Sequence, residues 1–204
     1  MLKQLKQSIL ATLMLTVLGG LAYPLAMTGV AEALFPTQAH GSLVERNGQV
    51  VGSTLIGQTF TGPTYFHPRP SATTDTDPAD ATKQIPAPYN AANSGASNAA
   101  PSAKSLAQDV ADRIAALKAE NPNARIALPV DLVTASGSGL DPDISPAAAE
   151  YQLPRVAAAR GMSEADLKRL VAQHTEGRTF GVLGESHVNV LALNLALDQG
   201  AAKQ

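Results

Sequence analysis

The sequence predicts an α+β protein: one N-terminal transmembrane helix, then a single extracytoplasmic domain in which a β-hairpin or small sheet is packed by about three to four helices. Three observations carry that prediction. Gln7 to Ala31 contains no Asp, Glu, Lys or Arg and is mostly Leu, Ala, Ile, Val, Met and Gly. Asn47-Gly48 separates two β-prone runs, the strongest short hairpin signal because both turn positions need φ > 0. Beyond residue 100, apolar residues recur at helical spacing between recognisable start and stop residues.

The apolar run comes first. At about 1.5 Å rise per residue, roughly 20 helical residues cross a ~30 Å hydrocarbon core, so this run spans with some tilt. Lys3 and Lys6 precede it and Glu32 is the first charge after it. The positive-inside tendency then leaves residues 1–8 in the cytoplasm, 9–34 in the membrane and 35–204 outside. A cleavable signal peptide is the competing reading, since Ala31-Glu32-Ala33 resembles an A-x-A cleavage site. The length of the apolar region and the late Tyr23-Pro24 speak for an uncleaved anchor. Gly19, Gly20 and Pro24 are the candidate membrane-packing residues, because glycines let a second helix approach closely. The blander account is that Gly is simply common in membrane helices.

Composition narrows the rest. The chain carries 15 basic and 17 acidic side chains, and Lys3 and Lys6 make the region beyond the membrane more acidic still. No Lys/Arg cluster appears, which argues against a nucleic-acid partner. Cysteine is absent, which excludes disulfides and thiolate metal sites and suits an oxidising compartment. Trp is also absent, so Ala, Leu, Val and Ile must build the core.

After Leu34, Pro36 is expected to end the membrane helix. The hairpin follows: Ser42 to Arg46, the turn Asn47-Gly48, then Gln49 to Ser53, running on through Gln58. A hairpin alone is marginal in water, so it is expected to pack on later helices. From Gly62 to Pro101, Pro, Ser, Thr, Asn and Asp crowd out any period, which reads as one long irregular segment. Within it, Thr73 to Ala87 reads as a mobile acidic insert, whereas Tyr65 to Ser71 and Tyr89-Asn90 offer aromatic anchors. Ser102 to Glu120 reads as an amphipathic helix on Leu106, Val110, Ile114 and Leu117, stopped by Asn121-Pro122. Ile126 to Val130 reads as a short strand. Ser145-Pro146 opens a helix that ends at Arg160-Gly161, with Pro154 as a kink. Ser163 and Asp166 start a further helix to about His174, with Leu167, Leu170 and Val171 inward. Val188 to Asp198 alternates like a strand, but its Ala and Leu content favours a helix capped near Asn189.

No catalytic constellation is legible. Gly-Lys-Ser/Thr and G-x-S-x-G are absent, and His40, His67, His174 and His187 are scattered. Asp131, Asp141 and Asp143 suit a cation, but each sits beside Pro or a loop, where turn and cap roles are commoner. Ser136 to Gly139 suits an anion cradle or, more blandly, a tight turn.

The residues nonetheless resemble a known family. The blocks are the anchor with Tyr23-Pro24; Gly52-Ser53 with Leu55-Ile56-Gly57-Gln58; and Tyr65-Phe66-His67 with Arg69-Pro70-Ser71-Ala72. Tyr89-Asn90, Ser94-Gly95-Ala96-Ser97-Asn98, the run from Asp131 to Pro146 with its continuation through Arg155 and Arg160, and the run from Val188 to Asp198 complete them. Together they look like the C subunit family of the Kdp high-affinity potassium-transporting P-type ATPase. Ala96 departs from the family's usual second Gly, and the insert from Thr73 to Ala87 is longer than usual.

The resemblance implies a non-catalytic accessory subunit, single-pass in a bacterial inner membrane, with a periplasmic domain. Its partners would be an ion-conducting Kdp A subunit, a Kdp B ATPase subunit, a small Kdp F subunit and membrane lipid. Potassium would be handled by the partner, and ATP enters only by family association. The roles implied are assembly and stability near the external entrance of the ion-conducting subunit, or a catalytic chaperone raising the ATPase subunit's affinity for ATP. An anchored extracytoplasmic ligand-binding module is the reading from another class. The expected docking residues are Gly57, Gln58, Tyr65, Phe66, Arg69, Pro70, Ser71, Tyr89, Asn90, Ser94, Gly95, Ser97 and Asn98, because irregular Asn-, Ser- and aromatic-rich segments suit polar recognition.

Overall fold

A computed structural model describes residues 1–201. It divides into two compact units, Met1–Ser53 and a second that begins at Thr54.

In the first unit, α1 (Leu2–Val17) and α2 (Tyr23–Leu34) are joined by a π-helical turn, Leu18–Ala22. Pro24 has no N–H for the carbonyl of Gly20 four residues earlier. The π turn over Gly19 and Gly20 takes up that mismatch, as local wide turns do in otherwise regular helices. The whole forms one apolar helix, Leu2–Leu34, with no buried residue in its most apolar window. It starts earlier than the expected residue 9, because Lys, Gln and Leu propagate a helix well. The break falls at Phe35 (φ −138°, ψ 56°), the residue that a following proline pushes out of the α region. Pro36 then opens the short helix α3 (Pro36–Ala39) rather than ending one.

The hairpin forms as expected, with β1 (Leu43–Arg46) and β2 (Gln49–Ser53) antiparallel. Asn47 and Gly48 both take positive φ, 53° and 75°. Val44 faces Gly52 and Glu45 faces Val50, leaving Val51 as a bulge. β2 stops at Ser53 instead of reaching Gln58, since Leu43, the first residue of β1, already faces Ser53. The Ser53 hydroxyl donates to the Gly41 carbonyl at 2.7 Å.

The second unit is built on a three-stranded antiparallel sheet, β5 (Asp143–Ile144), β6 (Thr175–Glu176) and β7 (His187–Asn189), in the order β5-β7-β6. Four helices accompany it: α4 (Lys104–Glu120), α5 (Pro146–Arg160), α6 (Glu164–Gln173) and α7 (Val190–Ala201). Ser145 caps α5 by accepting from the Ala148 N–H, and Gly161 ends it at φ 65°. Ser163 caps α6 in the same way through Asp166 N–H, and the Asn189 side chain accepts from Ala192 N–H at the start of α7. Ala148, Ala149, Leu153, Val156, Leu167, Val188, Leu193, Leu197, Ile144 and Phe66 form the buried core. Small alanines on α5 let it pack closely where aromatic residues are scarce.

Two further expectations fail. Thr73 to Ala87 contains a hairpin, β3 (Thr74–Asp77) with β4 (Asp80–Pro86), turning through Pro78-Ala79. Its Thr-Asp alternation has no apolar face, so the usual periodic signal was missing. Ile126 to Val130 forms no strand; Pro129 cannot donate to a ladder, and a 3-10 turn covers Val130–Leu132. The stripe of α4 also has no fully buried residue, although Leu117 packs on the core.

Candidate partner-docking site

The expected docking residues lie on segments that are tied to one another, and a strap from Gly62 to Thr73 is central. Two buried amides grip its backbone. Asn194 of α7 accepts from the Phe66 N–H and donates to the Phe66 carbonyl, both at 2.9 Å. Gln152 of α5 does the same for His67, accepting at 2.8 Å and donating at 3.0 Å. Each amide pairs with a peptide as a neighbouring β-strand would, so the N–H and carbonyl groups of Phe66 and His67 are all satisfied. Both side chains are essentially inaccessible, at 1% and 0%.

Two arginines extend the grip. Arg155 donates to the carbonyls of Pro63 and Tyr65, to Asn121 Oδ1 and to Gln152 Oε1, all within 3.0 Å. Burial pulls its guanidinium below the usual range, with Glu120 opposing. Arg160 donates to the Thr64 carbonyl and to Asp198, and its guanidinium lies 4.9 Å from the centre of the Tyr65 ring. Tyr65 donates to the other Asp198 oxygen at 3.2 Å and meets Phe60 at 5.5 Å between ring centres. Phe66 is wholly buried.

The other end of the strap meets the loop from Ser136 to Asp141. Arg69 pairs with Asp141 at 2.7 Å, and Tyr89 donates to the Arg69 carbonyl at 2.6 Å. Burial, then Asp141, pushes the Tyr89 phenol up from its usual value, against Arg69. Ser71 donates to the Gly139 carbonyl and accepts from the Tyr89 N–H. Gly57 donates to the Leu140 carbonyl, and a Cβ there would meet Tyr89 Cε1 at 2.4 Å and the Asp141 carbonyl at 2.6 Å. Only glycine fits that crossing.

Asn90 donates to the Thr74 carbonyl, while Ser94 and Gly95 both donate to the Ser138 carbonyl. Ser97 and Asn98 are exposed, and Asn98 takes φ 50°. Ala96 is not among the positive-φ residues, so its departure from glycine carries no backbone strain. Gln58 and Pro70 are half-buried. Thus Gly57, Arg69, Ser71, Tyr89, Ser94 and Gly95 gather around residues 138–141, whereas Asn90 is tied to Thr73 and Thr74 and Tyr65 sits at the α5–α7 end. In the first unit, Gly19 and Gly29 have open space around them, and Gly20 has only Thr16 nearby at 3.9 Å.

The other candidates take structural roles. Asp131 accepts from the Ser145 N–H and hydroxyl, Asp141 from the Asp143 N–H, and Asp143 from Asn189. In the Ser136–Gly139 turn, Gly139 N–H is spent on the Ser136 hydroxyl. Among the described residues, no group of three His, Cys, Asp or Glu is placed to hold a metal. The residues that sequence reasoning missed as site-builders are Asn194, Gln152, Arg155, Arg160 and Asp198. Their signal was polar groups set within otherwise apolar helices, which is legible only once a binding partner across the chain is known.

Known proteins resemble this chain along its whole length. A family model described as "KdpC: K+-transporting ATPase, c chain" matches residues 5–199. The Potassium-transporting ATPase KdpC subunit of Bradyrhizobium diazoefficiens is 61% identical over 203 residues, covering 100% of both chains. The protein of the same name from Rhodopseudomonas palustris (strain BisB18) is 62% identical over 198 residues, 97% of this chain and 98% of that one. That from Methylobacterium nodulans is 61% identical over 203 residues, again 100% of both. The chain therefore belongs to the KdpC family, the c chain of K+-transporting ATPases.

Proposed function

We propose that this chain is a non-catalytic accessory subunit of its potassium-transporting ATPase complex, stabilising the assembly near the external entrance of an ion-conducting Kdp A subunit. The partners are that subunit, a Kdp B ATPase subunit, a small Kdp F subunit and lipid. The observation that carries this reading is the cross-tying of residues 57–73, 89–98 and 138–141 into one fixed surface. A pre-organised polar surface loses little entropy on docking. Lys3 and Lys6 before the membrane helix favour an outward second unit, across the bilayer from a cytoplasmic ATP site. Gln58, Arg69, Pro70, Ser71, Tyr89, Asn90, Ser94, Gly95, Ser97 and Asn98 are the proposed docking residues, with the buried Gly57 and Phe66, and Tyr65, fixing the surface from behind.

The test is co-purification of the complex in detergent together with potassium uptake. Arg69→Ala and Tyr65→Ala are expected to loosen it. Ser97→Arg, on an exposed side chain, should loosen it without lowering the chain's melting temperature. Wild-type retention and transport in all three would refute the docking face. Titration of the full chain with ATP should show no heat; micromolar binding would favour a catalytic chaperone.

A further inference from the structure

We propose that residues 177–186 form an apolar anchor that seats in an apolar, basic-rimmed pocket on a membrane subunit of the same complex. The proposal rests on the accessory-subunit reading and names a contact outside the strap. The segment leaves β6 and returns as β7. At its tip Phe180 is 90% exposed, Val182 70% and Leu183 60%. Scattered exposed apolar residues are ordinary, but three large ones on one five-residue tip are not.

The tip is held out rather than left loose. Thr179 and Leu183 exchange both backbone hydrogen bonds, at 2.9 and 3.0 Å, and Gly181 N–H donates to the Arg178 carbonyl at 2.9 Å. Arg178 Nη2 reaches both oxygens of Glu185 at 2.7 Å, stapling the two legs. Phe180 itself takes φ 54°, with Gly181 at 75° and Gly184 at 77°. A left-handed conformation is unfavourable for an aromatic residue, and such outliers cluster at functional sites, ligand clamps among them.

Charge selects the occupant. Arg178 is the segment's one basic residue and is taken up by Glu185. At the root, Glu176, Asp143 and His187 line a cavity of about 510 Å³ with Thr54 and Leu55. His187 Nε2 lies 3.8 Å from Asp143 and 3.7 Å from Glu176. The root is therefore acidic. A bilayer surface carries anionic head groups and is met by apolar residues flanked by free Lys or Arg, which this segment lacks. A second copy would set acidic root against acidic root across a two-fold axis. An apolar pocket rimmed by Lys or Arg answers both features, an aromatic anchor inside a polar rim.

The experiment places a photo-reactive benzoylphenylalanine at Phe180 in the full chain within the assembled complex in its membrane. The expected product is a cross-link to one membrane subunit of the complex. Adducts with lipid alone, with a second copy alone, or none overturn the proposal. In parallel, Phe180→Asp should weaken retention of the chain at least about tenfold, and Phe180→Leu should restore most of it. Undiminished retention of Phe180→Asp also overturns the anchor. Should Phe180→Asp fold poorly, the cross-link decides. If the wild-type chain fails to co-purify, the accessory-subunit reading and the anchor fall together; if only the Phe180 results fail, the anchor alone falls.

Discussion

Asn194 and Gln152 hold consecutive residues of the strap through both halves of their amides, so each is worth more than its single bonds suggest. Replacing Asn194 with Ala strands the Phe66 N–H and carbonyl in the core. At about 1–3 kcal/mol for each buried group left unpaired, Asn194→Ala should cost about 3 kcal/mol. The measurement is urea unfolding of the full chain in detergent; a loss below ~1 kcal/mol would mean that the strap relaxes to find water. The strap also gives the protein a pH dependence. His67 is mostly buried, with its ring against the Gly62 carbonyl at 3.0 Å and Glu120 at 3.3 Å. Burial, then the Arg155 charge, lowers its pKa from 6.5, against Glu120 and the Gly62 carbonyl. The unfolded chain then binds the proton more readily, so His67's contribution is complete above about pH 6.5 and is lost as pH falls toward the lowered folded value. Melting followed from pH 7.5 to 5 should show stability falling, and His67→Gln should flatten that slope.

Among elements, the membrane helix carries its own irregularity and the means to tolerate it. The π turn Leu18–Ala22 sits on Gly19 and Gly20, one turn before Pro24. No Cβ placed at Gly19 meets an atom within 4 Å, and one at Gly20 meets only Thr16. The helix alone therefore tolerates larger residues there, whereas a neighbouring membrane helix would not. Gly20→Leu should leave insertion and expression unchanged while reducing co-purification of the complex severalfold; equal recovery would show that these glycines face lipid. The elements also show where local signals suffice. The caps at Ser145, Ser163 and Asn189, the Asn47-Gly48 turn and the Gly161 stop all act within one turn of chain, and each was readable. The β3–β4 hairpin was not, because Thr74 to Asp77 alternates two polar residue types. Ile126 to Val130 misled in the opposite direction: Pro129 cannot donate to a ladder, so the apolar run stays irregular.

For the molecule as a whole, orientation decides which chemistry the second unit can reach. Because the chain has no cysteine, single cysteines at Ser8 and Ser102 report it cleanly. An impermeant thiol reagent added outside should label the Ser102→Cys chain and spare Ser8→Cys. Labelling of Ser102→Cys only from the cytoplasm would reverse the topology and bring ATP contact back within reach. The membrane helix, the α+β class and the family were legible in the sequence because each rests on short-range patterns or on contiguous blocks such as Tyr65 to Ala72. The tertiary structure alone decided what those blocks do for the fold. Tyr65, Arg69, Ser71 and Tyr89 read locally as free recognition groups, yet they spend their hydrogen bonds on Asp198, Asp141, Gly139 and the Arg69 carbonyl. Those partners lie up to 133 residues away. Sequence specifies local geometry through backbone sterics and periodicity, whereas a buried polar group's partner is fixed only when the chain closes and every donor must find its acceptor.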